Sequence, residues 1–140
     1  KLFYYTHQLQ YTMSSSNPTA GMAAAVDAET AKFRALQEEM NVKRTTLQQL
    51  LSQQNENEMV QQELQLLKNE DTVFKMVGPV LLKNDLEDAK MTVSKRLEFI
   101  TGETKKVEQG IKELEMQATE VAKKANEMQS LMQQAAVEAA

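Results

Sequence analysis

Apolar residues recur along most of this chain at alternating spacings of three and four, the pattern typical of coiled-coil helices. The pattern is most regular in the second half, where the successive d positions of the heptad are all apolar: Leu86, Val93, Ile100, Val107, Leu114, Val121, Met128 and Ala135. A shorter, less regular pattern precedes it, with apolar positions at Phe33, Leu36, Met40, Leu47, Leu50 and Leu64. We therefore predict two long helices, over residues 28–69 and 85–138.

The segment between the two helices has the composition of a β-hairpin. Residues 72–84 are TVFKMVGPVLLKN, in which β-branched and large apolar residues surround Gly78-Pro79. Glycine takes the positive φ that a type II′ turn needs at its first corner, and proline fits the second corner, where φ is negative. A two-residue loop at this position would pair Val77 with Val80.

Both faces of the predicted hairpin are apolar. One face would carry Phe74, Met76 and Leu81, and the other Val73, Val77, Val80 and Leu82. A lone two-stranded hairpin is marginal in water, and its unpaired edges accept further strands. The hairpin either folds onto its own helices or assembles with other chains into a shared sheet. The two apolar faces favour assembly, in which these residues, with Gly78 and Pro79 at the turn, form the contact between subunits.

Two helices that enter and leave one hairpin must return beside each other. The chain is therefore predicted to be dominated by α-structure, as a long antiparallel two-helix coiled coil that we call the arm. Folding at the Gly-Pro turn places Leu64 opposite Val93. It also places Gln54 opposite Thr104, so that polar seam residues meet.

The same register leaves the end of the second helix without a partner, since the first helix is predicted to begin near Ala28, after an Asp27 cap. Apolar residues at that end, the arm tip, are predicted to form a gripping surface. They are Phe33, Met128, Leu131, Met132 and Val137. Residues 1–27 are predicted to be a disordered extension.

Composition narrows the possible functions. The length fits one domain, and a net charge of −4 with a pI near 5.1 argues against a nucleic-acid partner. Cysteine is absent, and no run of about 18 apolar residues predicts a membrane span. The single histidine, His7, has no catalytic partners in sequence, and no phosphate-binding or metal-binding motif is present. The chain is therefore predicted to be neither an enzyme nor a cofactor-binding protein.

The hairpin and the helix after it carry a family resemblance. The run VFKMVGPVLLK from Val73 to Lys83, followed by Leu86, Ala89, Val93, Lys95-Arg96-Leu97 and Ile100, resembles the β-class subunits of the prefoldin family. The resemblance covers residues 28–138, and its specific parts are the Phe-Lys-x-x-Gly-Pro-Val-Leu core and the Lys-Arg-Leu that follows. One hairpin, where the α-class has two, matches the β-class.

The resemblance implies a cytoplasmic, ATP-independent holding chaperone. Prefoldins are heterohexamers of two α-class and four β-class subunits, whose hairpins build a double β-barrel body from which coiled-coil arms extend. The arm tips hold unfolded clients such as actin and tubulin and deliver them to the cytosolic group II chaperonin. The alternative hypothesis is a structural coiled-coil tether, or a scaffold subunit of another hetero-oligomer.

Overall fold

The computed structural model describes residues 18–138, with side chains from Ala20 onward. Its elements follow in the order α1 (Pro18–Leu66), β1 (Val73–Val77), β2 (Val80–Asn84) and α2 (Leu86–Glu138). The two helices pack against each other, and the hairpin connects them at one end. At a rise of about 1.5 Å per residue, the 53 residues of α2 span about 80 Å. The predicted fold class, a two-helix coiled coil with a single hairpin, is confirmed.

The predicted start of the first helix is wrong. Residues 18–27 are helical, so α1 begins ten residues before the predicted start at residue 28, and Asp27 lies inside the helix instead of capping it. Proline is well tolerated in the first turn of a helix, and the alanines at 20 and 23–25 are the best helix formers. Only residues 1–17 of the predicted disordered extension, including His7, lie outside the described residues.

The second helix, α2, begins at Leu86, one residue after the predicted start at residue 85. Asp85 is the cap, because its Oδ1 accepts hydrogen bonds from the backbone N–H groups of Glu87 (2.9 Å) and Asp88 (3.2 Å). Asn84 is used instead by β2, where it pairs with Val73. The strand pairing thus lies within the predicted hairpin, and the residue directly after the last strand pair caps the helix.

The hairpin has the predicted register. Val77 pairs with Val80, Met76 with Leu81 and Lys75 with Leu82, in antiparallel order. Gly78 has a φ of +58°, which is the left-handed conformation that the first corner of the turn requires. Proline at the next position holds φ negative, so the sequence permits only one tight turn here.

The core of the arm consists of two clusters along the seam, with the buried residues Ile100 and Ile111 between them on α2. The basal cluster, next to the hairpin, contains Leu64, Leu86, Ala89 and Val93, with Leu67, Val73 and Leu97 packed against it. The distal cluster contains Met40, Leu114 and Ala118, with Phe33 and Leu36 beside it. The predicted pairing of Leu64 with Val93 is thereby confirmed. The two helices are stabilised against each other by a narrow row of buried side chains.

A polar residue interrupts the seam between these clusters. Thr104 is only 7% exposed, and its hydroxyl has no hydrogen-bond partner among the described residues. The side-chain amide of Gln54 donates to Glu58 on its own helix at 2.8 Å. An unpaired buried hydroxyl costs about 1–3 kcal/mol, so this layer weakens the middle of the arm.

We expect Thr104→Val to stabilise the chain by about 1 kcal/mol, because valine keeps the shape of threonine and removes the unpaired hydroxyl. Urea denaturation followed by circular dichroism, at one fixed protein concentration, measures the change. Thr119→Val is the matched control, since the Thr119 hydroxyl is exposed and bonds to the Glu115 carbonyl at 2.8 Å. Destabilisation by Thr104→Val would contradict the assignment of a costly polar layer.

Candidate assembly and client-contact surfaces

The hairpin presents large apolar side chains to solvent on both of its faces. Six of its side chains are between 50% and 72% exposed, namely Phe74, Met76, Val77, Val80, Leu81 and Leu82. Val73 is the exception, because it is half-buried against the basal cluster. The helices therefore anchor the hairpin at its first residue and leave the rest of it uncovered. The hypothesis that the hairpin folds onto its own helices is wrong for the chain alone.

Both edges of the hairpin are open for hydrogen bonding. The sheet in the described part of the chain has two strands, and Val77 and Val80 flank its two-residue turn as a hydrogen-bonded pair. Hydrogen-bonded and non-bonded pairs alternate along an antiparallel ladder. The backbone groups of Phe74 and Met76 therefore point away from β2, and those of Leu81 and Lys83 point away from β1. Each edge can pair with a further strand.

The arm tip is more covered than the sequence indicated. Met128 and Leu131 line a groove together with Gly21, Met22 and Ala25 of α1. The expectation that little of the first helix would reach this end is therefore wrong, since α1 begins at Pro18 and supplies the opposite wall. Met22 and Ala25 were missed because this segment was taken for part of the extension, although its run of alanines was a helix signal.

The predicted tip residues differ in exposure. Met128 and Met132 are half-buried, whereas Leu131 and Val137 are 55% and 76% exposed. Phe33 lies apart from this group, because it packs against the distal cluster and lines a separate groove with Met40 and Ala118. The structure brings Met128 and Leu131 together in one groove, and it assigns Phe33 to the flank of the core.

The grooves along the arm are open troughs between α1 and α2. One is lined by apolar side chains that include Leu36, Met116 and Val121, with Lys32, Glu39, Glu120 and Lys124 among the residues around them. Within residues 18–138, no cluster of three or more His, Asp or Glu side chains is placed to hold a metal ion. No described helix is long and apolar enough to cross a membrane.

Comparisons with known proteins agree with this architecture. A family profile described as "Prefoldin subunit" matches residues 27–132. Prefoldin subunit 6 of Homo sapiens is 36% identical over 110 residues, covering 79% of this chain and 85% of the human protein. The probable prefoldin subunit 6 of Caenorhabditis elegans is 38% identical over 119 residues, covering 83% of this chain and 94% of the nematode protein.

A solved structure supports the same fold. The prefoldin beta subunit from Thermococcus strain KS-1 superposes with a TM-score of 0.51 at 20% sequence identity, covering 79% of this chain and 91% of that chain. It shares the fold of two long helices around a hairpin. The match of the family profile to most of the chain, together with the two relatives, shows that the chain belongs to the prefoldin subunit family.

Proposed function

We propose that this chain is a β-class subunit of a heterohexameric prefoldin, which holds unfolded polypeptides without ATP. The observation that carries the proposal is the hairpin, whose two apolar faces and two open edges have no cover within the described chain. Burying one large apolar side chain contributes about 1.5–3 kcal/mol. Six such side chains, together with edge pairing, provide a strong driving force for a shared barrel. The partners in it are two α-class subunits and the other β-class subunits.

The same proposal places client contact at the arm tip. Leu131 and Val137 are exposed there, and Met22 and Met128 line the groove beside them. Methionine side chains are flexible and fit irregular apolar surfaces, as unfolded clients such as actin and tubulin require. Several weak contacts on different arms of one assembly add up through avidity. In this proposal the held clients pass to the group II chaperonin in the cytosol.

The first prediction concerns the chain without partners. We expect it to self-associate or to fold poorly, because the exposed hairpin faces and edges will find other apolar surfaces. Light scattering and circular dichroism on the purified chain test this. A monodisperse monomer that melts cooperatively would count strongly against an assembly role for the hairpin.

The second prediction concerns Val80→Asp. In an inter-subunit barrel this change buries a carboxylate, which costs several kcal/mol unless the group is paired or protonated. We expect the variant to be lost from the hexamer while the arm keeps its helical signal. Size-exclusion chromatography after co-expression with the other subunits measures incorporation.

Val42→Asp is the matched control for this test. Val42 is the same residue type and is similarly exposed, but it lies on α1 and away from the hairpin. We expect Val42→Asp to assemble normally. Equal incorporation of both variants would show that Val80 is not in an interface.

The third prediction concerns the tip. Leu131→Ser combined with Val137→Ser should leave assembly intact and reduce suppression of the aggregation of denatured actin, measured by light scattering. The loss will be partial while other arms are unchanged, since avidity spreads the binding. Met116→Ser is the control, because Met116 is equally exposed on α2 but distant from the tip. Full protection after removal of the apolar tip residues from every β-class arm would contradict a gripping role.

A further inference from the structure

Phe99 is an aromatic side chain on the outer surface of α2, away from both the hairpin and the tip. It is 67% exposed, although its neighbour Ile100 is buried in the seam. It occupies a heptad position that contributes nothing to the packing of the arm, and it belongs to neither core cluster. A single exposed apolar residue is ordinary, so its meaning depends on what surrounds it.

The residues one helical turn before Phe99 are basic. Lys95 and Arg96 precede it by four and three positions, so they lie beside it on the helix surface. Both are exposed, and within residues 18–138 neither forms an ion pair. Glu98, three residues after Lys95, is also exposed and forms no ion pair within residues 18–138. Two cations and one carboxylate therefore leave one net positive charge beside the aromatic ring, on a chain whose net charge is −4.

The residues one turn after Phe99 leave space and add no net charge. At Gly102 an added Cβ would meet no atom within 4 Å, so the helix surface is open there. Glu103 is paired with Lys106 at 2.6 Å, which neutralises both charges. An incoming side chain can therefore approach the Phe99 ring over Gly102, with the exposed Glu98 carboxylate at the border of this path.

The opposite helix adds one more apolar residue to the same edge of the arm. Glu39 of α1 and Gln117 of α2 line one groove, so their heptad positions share an edge. Val60 has the same heptad position as Glu39, three heptads further along α1, and Arg96 has the same heptad position as Gln117, three heptads earlier in α2. Because the two helices are antiparallel, these equal offsets place Val60 near Arg96 on the same edge of the arm. Val60 is 44% exposed and therefore extends the apolar surface beside Arg96.

We propose that these residues form a docking surface, the Phe99 patch, for an acidic protein segment that carries an apolar side chain. The patch consists of Val60, Lys95, Arg96, Phe99 and Gly102. The apolar side chain packs on the Phe99 ring over Gly102, and carboxylates of the segment pair with Lys95 and Arg96. Arginine binds carboxylates in a bidentate manner and gives such a contact its direction. The patch is separate from the surfaces assigned to assembly and client contact.

The test uses the full chain co-purified with its partner subunits. The probe is a fluorescein-labelled synthetic peptide of glutamates with two leucines one helical turn apart, and binding is followed by fluorescence anisotropy. We expect Phe99→Ser to weaken binding about five-fold or more, as loss of a central aromatic anchor does. Lys95→Glu should weaken it as well and reduce its salt dependence. Peptides with lysine for glutamate, or serine for leucine, should bind poorly.

Two matched variants separate the patch from general effects. Met116→Ser removes an exposed apolar residue from the same helix, and Lys105→Glu makes the same charge change as Lys95→Glu at a heptad position away from Phe99. Both should leave peptide binding unchanged. Equal losses in these controls, or unchanged binding in Phe99→Ser, would overturn the proposal. Failure of Phe99→Ser to enter the complex would also overturn it, because the patch would then be an interface between subunits.

Discussion

The hairpin has more apolar surface than the described part of the chain covers, and the rest of the structure follows from that imbalance. Two strands leave two unpaired edges, and here both faces are apolar as well. The helices contact the hairpin through Val73 and the basal cluster, and then extend away from it. In the function proposed above, the missing cover comes from other prefoldin subunits, and a shared sheet would cover the apolar faces and pair the open edges together.

The arm is built to extend and has little core of its own. Most of its buried residues form two small clusters. The stretch between them holds Ile100, Ile111 and Thr104, whose hydroxyl has no partner among the described residues. The ion pair between Arg44 and Glu115, at 3.0 Å, joins the helices across the seam, but both side chains are about half exposed, so it contributes little. The exposed hairpin and the marginal core of the arm are thus two consequences of one distribution of apolar residues.

The predictability of each element depended on how tightly local chemistry constrained it. The hairpin register was predictable because Gly78-Pro79 allows one tight turn, and that turn sets every pair that follows. The start of α1 was not predictable from local chemistry, because Ser, Asn, Pro and Gly in the sequence of residues 14–21 are typical of a loop. The helix is favoured there by contact of Met22 and Ala25 with the end of α2, which only the folded structure shows. Heptads predict which residues face the seam and say nothing about the outer surface. The exposure of Phe99 and the open space at Gly102 therefore follow from the structure and not from the heptad pattern.

Hydrogen exchange at the edges of the hairpin distinguishes a hairpin that pairs with other chains from one that stays open. The amides of Phe74, Met76, Leu81 and Lys83 point away from the partner strand, so they should exchange rapidly wherever the hairpin has no neighbour. In a complex with the other prefoldin subunits, we expect these amides to become strongly protected, while protection along the arm changes far less. Equal, rapid exchange of the four amides in the presence and absence of the other subunits would contradict assembly through the hairpin.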